Sequence, residues 1–223
     1  AFVAIAGAVL LLGLAAAFLL RFAGARYAAP RQDGGESGAP APAALWRFWF
    51  AYLTAVFAGL MAIGHAAAIA QARGANVELA TWAAMIVGIG SALGGFIAGW
   101  LVDRWPLARF LVGLPWLSAL ALFAIAAGNG AVAATWLLGV VGFCYGSIIA
   151  IYPVAIADAF GERGPSAYGR VFIAWGFAGL AAPWSAGMLY DGYGDYRLAL
   201  VIAALVALVS GASAGLFRLG KIR

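Results

Sequence analysis

The chain has 223 residues, of which 66% are hydrophobic and only 9% charged. With a mean hydropathy of +1.00, this excludes an ordinary soluble domain, in which charged residues make up about a quarter. A formal net charge of +5 would suggest nucleic acid in a soluble protein. Here the basic residues fall between long apolar runs, where they set topology in a lipid bilayer and imply no nucleic-acid partner.

Seven apolar segments follow one another, at roughly 2–22, 45–70, 79–102, 107–127, 131–157, 168–189 and 196–217; most reach the length of about 20 residues that crosses a bilayer as a helix. The expected class is therefore an all-α membrane protein with seven transmembrane helices. The chain begins AFVAIAG, with no Met and no basic leader, so the first segment makes a poor signal peptide. It is expected to be a piece that starts inside a larger protein. GARYAAPRQDGGESGAPAPAA separates the first two segments and has the Gly, Pro and small polar residues of a flexible linker. The other connections are short.

Charge orients the spans. Arg21, Arg26, Arg31, Arg47, Arg104, Arg109, Arg163, Arg170, Arg218, Lys221 and Arg223 fall on one side, and Arg73 and Arg197 on the other, together all 13 Lys and Arg. The positive-inside rule places the linker, the Asp103 loop, the Gly161 loop and the C-terminus in the cytoplasm. A multi-pass protein of the cell (inner) membrane is expected. Trp46, Trp49, Trp100, Trp105, Tyr190 and Tyr193 lie where aromatic belts form.

His65 is the sole histidine, and an ionisable intramembrane residue is a functional candidate. Its depth in the second segment suits an outer gate or interfacial anchor. In the third segment Gly90, Gly94, Gly95 and Gly99 remove bulk at four-residue intervals, as close helix packing in membranes requires. Ser91 lies among them. The segment ends in Asp103-Arg104, followed by Trp105, Pro106 and Arg109. Arg104 and Arg109 suit the negative end of a helix and Asp103 does not. Asp103 is expected to clasp the start of the sixth segment at Tyr168-Gly169-Arg170, and to release it as the protein changes state. A solvated loop carboxylate is the simpler alternative.

Tyr145 and Tyr152, seven apart in the fifth segment, share a helix face with Ile148 and Ile149 between them. The phenols are its only polar points, suited to a ligand or to a packing partner. Ser147 lies on the same segment. In the sixth, Gly176 and Gly179 thin the helix around Trp175, and Pro183 is expected to kink it. Cys144 lies inside a span, which excludes a disulfide framework or cysteine metal site. Ionisable residues are otherwise nearly absent from the spans, and no metal-ligand cluster, P-loop or dinucleotide motif occurs. No enzymatic activity, metal or cofactor is expected.

Four stretches resemble one family. GLMAIGHAAAIA (59–70), SALGGFIAGWLVDRW (91–105), YPVAIADAFG (152–161) and YGRVFIAWGFAGLAAPWSAGMLYDGYGDY (168–196) are similar to the seventh, eighth, tenth and eleventh helices of major facilitator superfamily transporters. The likeness is greatest to the oxalate/formate antiporter group, neighbours of the monocarboxylate transporters. The resemblance implies that residues 1–22 are helix six, 23–44 the central cytoplasmic loop and 45–223 the C-terminal six-helix bundle. It also implies a secondary active transporter that alternates access around a midplane site, with a small-molecule substrate, a coupled ion or exchanged anion, and the missing N-terminal half as partners. On this reading Ser91, Gly95, Tyr145, Tyr152, Trp175 and His65 border the substrate cavity. Gly94, Gly99, Asp103, Arg104, Arg170 and Pro183 belong to the moving parts. Oxalate-transporting members carry an Arg where this chain has Gly95 and a Lys where it has Trp175. A buried dianion without those cations would be unpaired, so a monocarboxylate, or a neutral or more apolar solute, is the expected cargo. A seven-span receptor or scaffold that transports nothing is the alternative.

Overall fold

The computed structural model describes residues 2–22 and 42–215, and their regular structure is entirely helical. The chain divides into two units, Ala1–Ser37 and Gly38–Arg223. The first contains α1 (Phe2–Phe22), whose bounds match the first apolar segment. The linker expected over 23–44 lies outside the described residues up to Ala41, and its last three residues begin α2. Arg26, Arg31, Arg218, Lys221 and Arg223 also lie outside them.

The second unit is a bundle of α2 (Pro42–Ile63), α3 (Ala66–Ala72), α4 (Val77–Val102), α5 (Leu107–Ala127), α6 (Ala131–Phe160), α7 (Gly164–Tyr193) and α8 (Arg197–Ala214). Short connections reverse the chain between the long helices, so one end of the bundle carries Asp103 and the α6–α7 turn. The other end carries Arg73, Asn129 and Asp195. Helix α6 is central: α4, α5, α2, α7 and α3 all pack on it. Helix α7 lies along α2, and α8 along α5 and α2.

The α4–α6 seam follows from glycine. Lipid tails are as apolar as leucine, so helices in a bilayer associate through close van der Waals packing. Gly90 and Gly94 of α4 and Gly139, Gly142 and Gly146 of α6 interleave. A Cβ on Gly146 would lie 2.8 Å from Ser91 Cα, and one on Gly142 3.0 Å from Val87 Cα. Gly95 and Gly99 do not take part. A Cβ on Gly95 would sit 3.6 Å from the Gly146 carbonyl oxygen, and one on Gly99 would meet nothing within 4 Å. The four-residue glycine spacing therefore marks two faces of α4, of which one is packed.

Helix α7 uses alanine for the same purpose. Its buried positions are Gly164, Ala167, Val171, Ala174, Ala178, Ala182 and Ala186, a continuous stripe at steps of three and four. Gly176 and Gly179 lie off this stripe and approach no neighbour within 4 Å, so they do not thin the helix for packing. Helix α7 continues through Pro183 without a break.

Two connections differ from expectation. The second apolar segment is not one helix: it is interrupted at Gly64–His65, where His65 N–H bonds the carbonyl of Ala62 at 3.2 Å, a tightened three-residue step. Pro183 packs against this point, and a Cβ on Gly64 would come 3.2 Å from Pro183 Cβ. The connection FGERGPSAYGR, expected to be short, narrows to a single 3-10 turn, Gly161–Arg163. Gly161 at φ +55° makes this sharp reversal with a backbone geometry that a side chain would disfavour.

Candidate functional site

Near the middle of the bundle, Trp175 of α7 donates its Nε1–H to the Tyr145 hydroxyl of α6 at 2.8 Å. The pair sits on an open face, with Trp175 37% exposed. Gly59 of α2 makes room for the phenol: a Cβ there would lie 3.0 Å from the Tyr145 ring. Phe172, one turn before Trp175, stacks on it nearly parallel, with ring centroids 5.7 Å apart. Tyr168 lies 5.5 Å beyond Phe172, and Trp49 of α2 meets Phe177 edge-on at 6.2 Å. An aromatic band thus runs along α7 and α2, with one hydroxyl at its centre. Because the Tyr145 oxygen already accepts from Trp175, its own O–H proton remains to be donated.

Gly95 belongs to the same level. It lies against Gly146, the residue after Tyr145, so Gly95 and Trp175 border adjacent residues of α6. Helices α4 and α7 each pack on α6. Ser91 sits in the α4–α6 seam with its main chain against Gly146.

Tyr152 departs from expectation. It is 1% exposed, its ring packs on Tyr52 of α2 at 4.5 Å, and its buried hydroxyl has no hydrogen-bond partner among the described residues. It shares the helix stripe of Tyr145, but α2 covers it, so it packs the core and does not line the open face.

The conformational residues are spread out. Asp103 caps the C-terminus of α4 and is exposed, and its carboxylate makes no hydrogen bond or ion pair among the described residues. The expected clasp on Tyr168–Arg170 is therefore not made in this conformation. Arg104 folds back on its own helix, donating to the Trp100 carbonyl at 3.0 Å and covering the Trp100 ring at 3.9 Å. Arg170 is exposed.

His65 lies apart from the aromatic band, at the α2–α3 break. Its Nε2 is 2.9 Å from the Pro183 carbonyl oxygen of α7, and its Nδ1 is 3.2 Å from the Tyr196 hydroxyl. The carbonyl can only accept, so Nε2 carries a proton; Nδ1 of the neutral ring then accepts from Tyr196. Burial, together with Tyr190 and Asp191, raises the Tyr196 phenol above its ordinary value, which keeps the donor protonated.

One cluster at this end has no expectation behind it. The Arg73 side chain is 3% exposed and lies 3.8 Å from Asp195. Asp195 also pairs with Arg197 at 3.2 Å, and Arg197 donates to Asn129 at 2.6 Å. Three connections, α3–α4, α7–α8 and α5–α6, are tied through Asp195 and Arg197. The sequence shows these residues only as separate loop charges; nothing in their spacing says which turns meet. Among the described residues, no three His, Cys, Asp or Glu side chains gather as a metal site would require.

A bundle of membrane-length apolar helices, with few buried polar side chains among the described residues, is that of a polytopic membrane protein. The model of the Major Facilitator Superfamily matches residues 48–221, most of the chain, and the chain belongs to that superfamily of membrane transporters. No curated protein matches the sequence.

Proposed function

We propose that the chain is the C-terminal half of a secondary active transporter that moves a small monocarboxylate by alternating access. The observation that carries this reading is the Trp175–Tyr145 hydrogen bond on an open, half-polar face. It leaves the Tyr145 O–H to donate to a solute acceptor, flanked by the Phe172–Trp175 stack for an apolar substituent. One donor and no cation suit a single carboxylate better than a dianion. Gly95 has room for a side chain and supplies none, which again disfavours oxalate. Ser91, Gly95, Tyr145 and Trp175 form this half of the site, and the N-terminal half closes it. On the charge pattern, the Asp103 end faces the cytoplasm of an inner membrane and the Asp195 end faces outward. A coupled ion or an exchanged anion drives the cycle.

The test is uptake of labelled monocarboxylates and of oxalate by proteoliposomes holding the full-length transporter. Monocarboxylate uptake that weakens in Tyr145→Phe supports the reading. Oxalate as the preferred solute, or uptake indifferent to Tyr145→Phe, overturns it.

A further inference from the structure

The geometry points to His65 as a proton-binding site that controls how firmly α3 is held against α7. It rests on the topology above only for the side from which the proton comes.

Both ring nitrogens are engaged across the fold, Nε2 to the Pro183 carbonyl and Nδ1 to the Tyr196 hydroxyl. These two partners differ in kind. The carbonyl accepts from Nε2–H whether the ring is neutral or charged. The hydroxyl can donate to Nδ1 of the neutral ring, or turn its O–H away and accept from Nδ1–H of the imidazolium. A proton can therefore be added while both nitrogens keep their partners and no heavy atom moves; only the Tyr196 O–H reorients. A histidine held between two carbonyls or two amides would lack this property.

The location gives the proton a consequence. His65 stands at the break between α2 and α3, where Gly64 and Pro183 are in contact. Its ring packs beside Gly187 of α7, where a Cβ would lie 3.9 Å from Cε1, and against the Tyr196 ring at 5.4 Å. Tyr196 in turn stacks on Tyr190 at 4.5 Å. The imidazole is thus the polar link between the start of α3, the second half of α7 and the α7–α8 corner. Hydrogen bonds from a charged donor are stronger than neutral ones, so protonation tightens that link and holds α3 where it is seen.

The other titratable and charged groups at this end are Tyr190, Tyr193, Tyr196, Asp191, Asp195, Arg73, Arg197 and Glu78. Asp195 is already engaged by Arg73 and Arg197, and Glu78 is exposed in the first turn of α4. Asp191 acts on Tyr196.

The experiment uses the full-length transporter in proteoliposomes, with equal solute on both sides and pH varied on one side at a time. Lowering the pH outside is expected to slow labelled-solute exchange by about fivefold, the difference between a neutral and a charge-assisted hydrogen bond. His65→Gln, which can still donate to Pro183, is expected to flatten this profile. A response that follows internal pH and is lost in His65→Gln supports the proton site while overturning the topology. A His65→Gln profile as steep as that of the unaltered protein overturns the proton site. Imidazole NMR supplies a readout independent of transport, His65 being assigned by the signal that His65→Gln removes. The expected result is an Nε2–H tautomer of the neutral ring that takes up a proton as the pH is lowered while the protein stays folded. An Nδ1–H tautomer, or a ring that stays neutral throughout, overturns the inference.

Discussion

Replacing Gly146 by alanine tests whether glycine packing at the α4–α6 seam holds the bundle together. The new methyl would sit 2.8 Å from Ser91 Cα and 2.6 Å from Ser91 C. Ordinary contact begins near 3.4 Å, so the helices must separate by more than half an ångström at that level. The obstructing atoms are backbone, so no rotamer change relieves the overlap. Overpacking of this kind costs about 1–3 kcal/mol, and the small gain in helix propensity from Gly to Ala offsets at most about 1 kcal/mol. Taking a net loss of about 2 kcal/mol, the melting temperature of the purified protein should fall by roughly 4–8 °C. Gly99→Ala is the matched control: it lies on the same helix pair, and its Cβ would meet nothing within 4 Å. It should leave the melting temperature unchanged or slightly raised. Thermal unfolding in detergent, followed by tryptophan fluorescence and by size-exclusion recovery, reads both variants. Equal stability of Gly146→Ala and Gly99→Ala would refute the packing argument.

Three further outcomes follow from the geometry. Tyr145→Phe should raise the KM for a carboxylate solute about tenfold or more, one hydrogen bond to a charged group being worth about 1.5–3 kcal/mol; Trp175→Phe should act less, and the double variant should fall short of the product of the two, as initial rates against concentration would show. Asp195→Asn removes the partner of the buried Arg73 guanidinium and should cost about 2 kcal/mol, below the 3–5 kcal/mol of a fully buried pair because Asp195 is partly exposed; Arg197→Ala, exposed, should cost less than about 1 kcal/mol in the same melting assay. Asp103→Asn should leave thermal stability unchanged, since the carboxylate has no partner here, but should alter the transport rate if the residue is clasped in another state; an unchanged rate and an unchanged distribution of conformations would remove Asp103 from the moving parts.

Much of the architecture was legible because a bilayer imposes one length and one satisfaction rule on every crossing. The bounds of α1 and α5 coincide with their apolar runs, and those of α4 nearly so. Departures arise where tertiary contacts act on a local pattern. Gly64 and His65 are too few to interrupt an apolar run by composition, yet the Pro183 ring packs where α2 would continue. The glycine spacing on α4 shows two candidate stripes, and only the approach of α6 decides between Gly90/Gly94 and Gly95/Gly99. Tyr145 and Tyr152 share a stripe by their seven-residue separation, but a stripe crosses two environments when a neighbouring helix covers one part of it. The pairing of Trp175 with Tyr145, thirty residues apart on two long helices, required the depth of both helices to be known. The Arg73–Asp195–Arg197–Asn129 network was not legible, because which loops converge depends on helix order within the bundle.

The most direct test of the account compares residues 1–223 alone with the same residues joined to the polypeptide encoded upstream of Ala1, each purified and reconstituted, with labelled monocarboxylate as solute. The account predicts saturable uptake by the joined protein, weakened by Tyr145→Phe, and none by residues 1–223 alone. Saturable uptake by residues 1–223 alone, or uptake by the joined protein that ignores Tyr145→Phe, would contradict it.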